Sequence, residues 1–406
     1  MKKTLWTKNF SLLILATVFG SIGGIAGGFA LSFLVFDETG STLAASLILA
    51  IKIIPGFVVP LVFAPLMDRL PRKPFLVAGD AINGILYALG GLYLTHCDFH
   101  YIGYLVFSLV LTALGAFDSL AYNSIYPKLI PEGMEQKGYT VSSMLYPILE
   151  VVMLPLAAVL LDMLGVARIL IFQGLFSLLA ALTESFISLR EENRLGGERF
   201  SFRMWLADIR EAIAYLRRET GVGSIYSYMA VTNGVATGFS PLLVAFFRST
   251  PGLSAAMYSL FSVAEFLGRT AGGLVHYRME IPKKKRFSFT FLVYQIYEIM
   301  DMCLLWLPYP AMLVNRAICG FLGVNSAVLR QTAVQSYIPE QLRSRLNAFQ
   351  NILILAAASL LTVAMGLLGE VLDYRLCITL SAGLTLLWSW LTVWRRRTHV
   401  RAVYEA

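Results

Sequence analysis

Residues 64–73 read Ala-Pro-Leu-Met-Asp-Arg-Leu-Pro-Arg-Lys, a short charged stretch between two long apolar runs. The flanking runs cover about residues 42–67 and 74–95. A helix needs ~20 mostly apolar residues to cross the hydrocarbon core of a bilayer, so each run is long enough to span. Because Lys and Arg are enriched in cytoplasmic loops, the stretch is predicted to join two membrane helices on the cytoplasmic side.

The whole chain shares this apolar character. Its 406 residues are 57% hydrophobic and only 14% charged, whereas soluble domains are typically ~45–50% apolar and ~25% charged. This composition indicates a polytopic membrane protein and excludes a nucleic-acid enzyme, a secreted disulfide scaffold and a disordered chain. The formal net charge of +8 reflects Lys and Arg that gather at one set of helix ends, which predicts that both termini are cytoplasmic.

Apolar runs of spanning length recur along the sequence. A bilayer admits only helices and closed barrels, and the sequence has no alternating strand pattern. We therefore predict an all-α membrane protein with twelve transmembrane helices in two six-helix bundles. The predicted spans are 10–36, 42–67, 74–95, 101–126, 140–163, 166–189, 223–247, 253–277, 287–307, 310–334, 345–369 and 374–394.

The longest polar stretch divides these spans into six and six. It predicts an N-terminal bundle at 1–189, a cytoplasmic linker at 190–221 and a C-terminal bundle at 222–406. Within the linker, apolar side chains recur at helical spacing from Phe202 to Leu216 with arginines between them, which indicates an amphipathic helix on the inner membrane surface. We interpret it as a structural linker, with a regulatory or partner-docking role as the alternative.

The two halves repeat a loop signature. Ile130-Pro131-Glu132 follows the fourth span, and Ile338-Pro339-Glu340 follows the tenth, 208 residues later. Two six-span units with a duplicated loop are the layout of a parallel-repeat transporter. The sequence therefore predicts a secondary transporter rather than a channel, and no phosphate-binding GxxxxGK[ST] loop is present for direct use of ATP.

The charged stretch at 64–73 resembles the signature of the major facilitator superfamily, Gly-x-Leu-x-Asp-Arg-x-Gly-Arg-Lys, with Ala64 and Pro71 in place of the two glycines. The Ile-Pro-Glu loops, with Arg345 to Ala348 after the second, resemble the drug-efflux branch that includes macrolide and enterobactin exporters. The chain departs from drug–proton antiporters in lacking an Arg in the fourth span and a Gly-Pro-x-x-Gly-Gly run in the fifth.

The resemblance implies a gating latch at the cytoplasmic face. It implies that Asp68 meets the N-terminus of the eleventh span, where backbone N–H groups and the helix dipole favour an anion. Arg69 and Arg72 would close the same latch, which would stabilise the outward-open state. The alternative interpretation is that these charges only mark the cytoplasmic face.

Three charged residues fall near the middle of the bilayer. Lys52, Glu150 and Glu265 lie ten to twelve residues into their spans, about 15–18 Å from one face. Ionisable residues at this depth usually face a partner or a cavity. The resemblance implies that Glu150 and Glu265 face each other and take part in proton coupling, and Lys52 is a candidate for binding an anionic substrate group. A fixed salt-bridge cluster is the alternative.

Other charges complete the candidate set. Asp118 in the fourth span is a candidate for the substrate cavity. Asp301 and Arg316 both lie ~9 Å from the outer ends of their spans and are predicted to pair. We assign Glu298, Asp301 and Arg269 to structural ion pairs, while Arg316 remains a candidate for contact with an acidic substrate.

The resulting hypothesis is a transporter that exports a small amphiphilic molecule by alternating access, as a proton-coupled antiporter. Uptake of an organic anion and lipid or lysolipid translocation are the alternatives, and a non-transporting sensor with a transporter fold is a remote one. No enzyme, cofactor, metal or nucleic-acid partner is predicted. The short loops and the efflux branch favour the cytoplasmic (inner) membrane of a bacterium, and a monomer is predicted.

Overall fold

The computed structural model describes residues 4–67, 71–188, 202–278 and 281–405. Within these ranges the chain is helical, which confirms the predicted all-α membrane fold. The helices are α1 (Lys8–Thr39), α2 (Thr42–Met67), α3 (Arg72–His96), α4 (Tyr101–Leu129), α5 (Glu135–Ser185), α6 (Phe202–Arg218), α7 (Thr220–Ser249), α8 (Ala255–Arg278), α9 (Lys283–Cys303), α10 (Tyr309–Tyr337), α11 (Glu340–Val371), α12 (Tyr374–Ser389) and α13 (Arg397–Glu405).

The twelve predicted spans each correspond to a helical segment. In the described ranges, ten helices are long and apolar enough to cross a membrane. The long helix α5 contains two predicted spans, because Gly165 interrupts it with a φ of 74°, a conformation that glycine adopts most readily. Helix α8 falls outside the ten, and it carries Glu265 and Arg269 in its middle.

The repeated Ile-Pro-Glu signature ends two equivalent helices. Helices α4 and α10 are both 29 residues long, and both of their boundaries differ by 208 residues. Ile130 and Ile338 follow them in extended conformations, with ψ values of 125° and 132°. A proline disfavours the helical conformation of the residue before it, so the signature terminates each helix at the same register.

The chain forms two compact units, one of Met1–Thr39 with Ile51–Phe200 and one of Gly40–Ala50 with Ser201–Ala406. The first turns of α2 thus pack in the second unit. There Glu370 of α11 accepts hydrogen bonds from the backbone N–H of Leu43 at 2.9 Å and from the hydroxyl of Ser41 at 2.7 Å. A carboxylate at a helix N-terminus satisfies otherwise unpaired N–H groups.

Helix α6 covers the predicted amphipathic segment and packs within the second unit against α7 and α11. Its Glu211 forms a salt bridge with Arg345 of α11. Just beyond α6, the carboxylate of Glu219 accepts a hydrogen bond of 2.8 Å from the hydroxyl of Tyr337.

The C-terminal helix α13 closes part of the core of the second unit. Tyr404 is only 1% exposed, and its hydroxyl lies 3.1 Å from the hydroxyl of Tyr294 on α9. Burial raises the pKa of Tyr404 well above its ordinary value, so the phenol remains protonated and available for this hydrogen bond.

Candidate functional site

The first unit contains a polar cavity of about 490 Å³. Side chains of α1, α3, α4 and both arms of α5 form its walls. Its polar lining consists of Thr17, Ser21, Asp80, Asn83, Tyr87, Asp118, Ser119, Tyr122, Tyr146, Gln173, Ser177 and Glu184.

Three carboxylates share this cavity, and none of the described residues that line it is Lys, Arg or His. Glu184 is 3% exposed and Gln173 is 5% exposed. One buried side-chain oxygen on each of Asp118, Gln173 and Glu184 has no hydrogen-bond partner within the described part of the chain. Buried polar atoms are normally paired, so these acceptors are suited to a bound proton or a cationic group.

Glycines bring the helices around this cavity close together. A Cβ added at Gly79 of α3 would lie 3.0 Å from Oδ1 of Asp118 on α4. A Cβ added at Gly27 of α1 would lie only 1.5 Å from Oε1 of Gln173. Glycine at these positions therefore allows the side chains of Asp118 and Gln173 to pack directly against a neighbouring backbone.

The second unit contains a cavity of about 340 Å³ between α7, α8, α9 and α10. Its walls combine apolar side chains with charged and hydroxyl groups. The polar lining includes Tyr228, Thr232, Asn233, Arg269, Tyr294, Tyr297, Glu298, Asp301, Ser326 and Arg330.

Most of the charges at this second cavity have a partner. Asp301 forms a salt bridge with the buried Arg316. Glu298 accepts hydrogen bonds from the hydroxyls of Tyr228 at 3.3 Å and Thr232 at 3.2 Å.

The two cavities use the same positions of the repeated helices. Helix α4 lines the first cavity with Leu111, Gly115, Asp118, Ser119 and Tyr122. The residues 208 positions later all line the second cavity, and they are Cys319, Gly323, Ser326, Ala327 and Arg330 of α10. Helices α1 and α7 show the same correspondence with an offset of 212 residues. The first cavity is lined on α1 by Ala16, Thr17, Gly20 and Ser21. The second cavity is lined on α7 by the equivalent residues Tyr228, Met229, Thr232 and Asn233. The repeat thus supplies two equivalent pockets with different chemistry.

The structure places only some of the predicted binding residues at the two polar cavities. Asp118 lines the first cavity. Glu265 pairs with Arg269 at 2.6 Å, and Arg269 lines the second cavity. Arg316 is 7% exposed and lies behind Asp301, outside the residues that line the cavity. Lys52 is half-buried on α2 and lines neither cavity.

The remaining predicted residues lie elsewhere. Glu150 is half-buried on the first arm of α5, and its charge acts on Tyr146 at the first cavity. Arg72 donates a hydrogen bond of 3.4 Å to the backbone carbonyl of Ser124. Asp68 and Arg69 fall outside the described residues. The proximity of Glu150 to Glu265 and the cytoplasmic latch stay predictions.

Sequence reasoning did not place Asp80, Glu184 and Arg330 at the cavities, which all three line. It assigned Asp80 to pairing near Arg72 and Lys73, counted Arg330 among the cytoplasmic charges and left Glu184 out. The sequence prediction ranked charged residues by their depth along each span and did not consider which face of the helix they lie on. The internal repeat could have identified Arg330. Tyr122 lies one turn from Asp118 on the cavity face of α4, and the residue 208 positions later is Arg330.

A third cavity, of about 460 Å³, is mostly apolar and lies between α3 and α4. Its lining is Leu86, Leu89, Gly90, Tyr93, Leu94, Phe99, His100, Gly103, Tyr104, Phe107 and Leu170.

Comparisons with known proteins agree with this architecture. The family model of the Major Facilitator Superfamily matches residues 12–297. Macrolide efflux protein A of Streptococcus pyogenes is 24% identical over 261 residues, which cover 61% of this chain and 60% of that relative.

Solved transporters share the fold at low sequence identity. A bacterial homologue of the human lysosomal transporter Spinster, in an inward-facing and unoccupied conformation, has a TM-score of 0.66 at 13% identity, with 99% of this chain and 97% of that chain covered. A POT family transporter in complex with 5-aminolevulinic acid has a TM-score of 0.70 at 10% identity, with 96% of each chain covered. Since the family model covers more than half of the sequence, the chain belongs to the major facilitator superfamily and is a multi-pass membrane transporter, not an enzyme.

Proposed function

We propose that this transporter exports a small amphiphilic molecule with a cationic group by alternating access, in exchange for protons. The observation that carries the proposal is the cavity of the first unit, where Asp80, Asp118 and Glu184 are gathered without a basic residue among the described residues of the lining. The relationship to a macrolide efflux protein supports export. The apolar cavity between α3 and α4 supports an amphiphilic substrate.

The carboxylates provide a physical basis for exchange. An ionised carboxylate removed from water is costly unless a cation or a proton offsets its charge. A cationic substrate and protons would therefore compete for the same oxygens, and the release of one would accompany the binding of the other.

We assign proton exchange to Asp118, with Asp80 and Glu184 as its neighbours. Tyr122 and Thr17 complete the polar wall, where the hydroxyl of Thr17 donates to that of Tyr122 at 3.4 Å. In this proposal Lys52, Glu150, Glu265 and Arg316 remain candidates for coupling or substrate contact. Asp68, Arg69 and Arg72 remain the candidate residues of the cytoplasmic latch.

The proposed setting is the cytoplasmic membrane of a bacterium, with both termini in the cytoplasm and a monomer as the working unit. Lipid or lysolipid translocation is the second candidate function, favoured by the apolar lining of the cavity between α3 and α4.

Ethidium, a permanently cationic aromatic probe, tests the direction of transport. Energised cells that express the chain are expected to accumulate less ethidium than control cells, and a protonophore should remove the difference. The same accumulation in both cell types would contradict export of cationic amphiphiles. Fluorescent lysolipid movement without any ethidium effect would support the second candidate.

A further inference from the structure

Arg330 differs from the other charged residues of the second cavity in its partners. It lies on α10 and lines the cavity, and its Nη1 donates a hydrogen bond of 3.3 Å to the hydroxyl of Tyr294. Among the described residues, no carboxylate forms a salt bridge with it, whereas Arg269 and Arg316 each have one. A guanidinium carries five N–H donors, and its charge is costly within a membrane span unless it meets a partner.

The two carboxylates that line the same cavity as Arg330 are already engaged. Asp301 binds Arg316, and Glu298 accepts hydrogen bonds from the hydroxyls of Tyr228 and Thr232. Glu298 also lines this cavity, and its carboxylate opposes the entry of an anion only when it is ionised.

We infer that the second cavity is a binding site for a small organic carboxylate, held by Arg330. The planar guanidinium matches a carboxylate with two parallel hydrogen bonds. Asn233 also lines the cavity, and its amide can supply a further donor beside the N–H that it donates to the backbone carbonyl of Met229. Val235, Ala236 and Phe239 provide an apolar wall, so the expected ligand joins a carboxylate to a compact hydrophobic body.

The proposed selectivity of this site for an anion comes from side chains that differ between equivalent positions of the two repeats. The position equivalent to Arg330 in the first unit is Tyr122, and the position equivalent to Ser326 is Asp118. At these equivalent helix positions, the first unit therefore presents the carboxylate of Asp118 and the second unit presents the guanidinium of Arg330. This site is separate from the proposed proton exchange, and its existence does not depend on the direction or the coupling of transport.

Two probes with the same aromatic body test the site. We would titrate purified protein in a non-ionic detergent with 1-naphthaleneacetate and with trimethyl(1-naphthylmethyl)ammonium, and measure heat. The Arg330→Gln variant is expected to weaken binding of the anionic probe about tenfold or more, as expected for loss of a charged hydrogen-bonding pair. Binding of the cationic probe should not change, and this second readout shows that the variant is folded.

Two further variants separate binding from a structural role. Tyr294→Phe removes the hydrogen bond to Arg330 but leaves the guanidinium, so binding of the anionic probe should be retained. Glu298→Gln keeps this position uncharged at every pH, so binding of the anionic probe should not weaken. Equal binding of the anionic probe to wild type and Arg330→Gln would overturn the inference. Equal losses in Tyr294→Phe and Arg330→Gln would also overturn it, because they would assign Arg330 to packing alone.

A variant at Ser326 keeps the test decisive if Arg330→Gln does not fold. Ser326→Asp places in the second cavity the carboxylate that the first unit has at the equivalent position, within the same lining as Arg330. It is expected to abolish binding of 1-naphthaleneacetate by neutralising the guanidinium. Undiminished binding to Ser326→Asp would contradict a site at Arg330.

Discussion

Tyr122 of α4 and Arg330 of α10 occupy the same position in two repeated helices, 208 residues apart. Each lines the cavity of its own unit. The repeated helices thus line both cavities, and the equivalent positions carry Asp118 and Tyr122 in the first unit but Ser326 and Arg330 in the second. The chemical difference between the pockets comes from a few side chains on a common scaffold.

The salt bridge between Asp301 and Arg316 is expected to be important for stability. Asp301→Asn would leave the guanidinium of Arg316 buried without its counter-charge, which typically costs about 3–5 kcal/mol. Thermal unfolding in detergent should show a large fall in melting temperature. The exposed loop residue Asp98 provides the matched control, and Asp98→Asn should leave the melting temperature unchanged. Similar stabilities for both variants would contradict this role of the pair.

Two glycines of α8 allow a test of close helix packing. A Cβ at Gly268 would lie 1.9 Å from the backbone carbonyl oxygen of Ala317 on α10, whereas a Cβ at Gly273 would have no atom within 4 Å. Gly268→Ala must therefore move α8 away from α10, at a cost of at least about 1–3 kcal/mol. Gly273→Ala should have little effect. We would compare unfolding temperatures, and equal values would show that α8 and α10 do not pack as described.

Glu370 is expected to anchor the beginning of α2. Glu370→Gln removes the charge that accepts hydrogen bonds from Leu43 and Ser41, with an expected loss of about 1 kcal/mol. Hydrogen exchange at residues 42–46 should increase in this variant. Glu38 is exposed near the end of α1, and Glu38→Gln is the control that should leave the exchange unaltered. Unchanged exchange in Glu370→Gln would disprove the anchor.

Tyr404 should contribute a pH dependence to stability under alkaline conditions. Burial raises its pKa well above the ordinary value of ~10, so the unfolded chain releases this proton at a lower pH than the folded chain. The contribution is therefore complete below pH ~10 and is lost as the pH rises further. Tyr404→Phe should flatten this part of the stability profile and lose about 1 kcal/mol at neutral pH. The exposed Tyr93 provides the control, and Tyr93→Phe should leave the pH dependence of stability unchanged. Equal pH profiles for Tyr404→Phe and Tyr93→Phe would refute the contribution of Tyr404.

The sequence predicts much of the fold because membrane spans have simple physical signatures. Span length and charge at the loops locate the helices, and the recurring Ile-Pro-Glu loops reveal the repeat. Counting residues from the helix ends also places Asp301 and Arg316 at one depth, where the structure has a salt bridge.

The cavities are harder to predict, because depth along a helix does not say which side faces a pocket. Lys52 and Asp118 are both charged residues within spans, yet of these two only Asp118 lines one of the three cavities described above. Glu184 lies near the end of α5 and still reaches the pocket, since its orientation is set by the packing of α5 against α1 and α3.

The most direct test of the central claim is lumenal pH in proteoliposomes that contain the purified transporter and a trapped pH dye. The membrane potential is held at zero with potassium and valinomycin, and trimethyl(1-naphthylmethyl)ammonium is added outside. Wild type and Asp98→Asn are expected to make the lumen more alkaline, because the entering cation displaces protons. Asp118→Asn should abolish this change while its melting temperature stays close to that of wild type. A wild type that moves the probe without a pH change, or an Asp118→Asn variant that exchanges protons as well as wild type, would contradict proton exchange at Asp118.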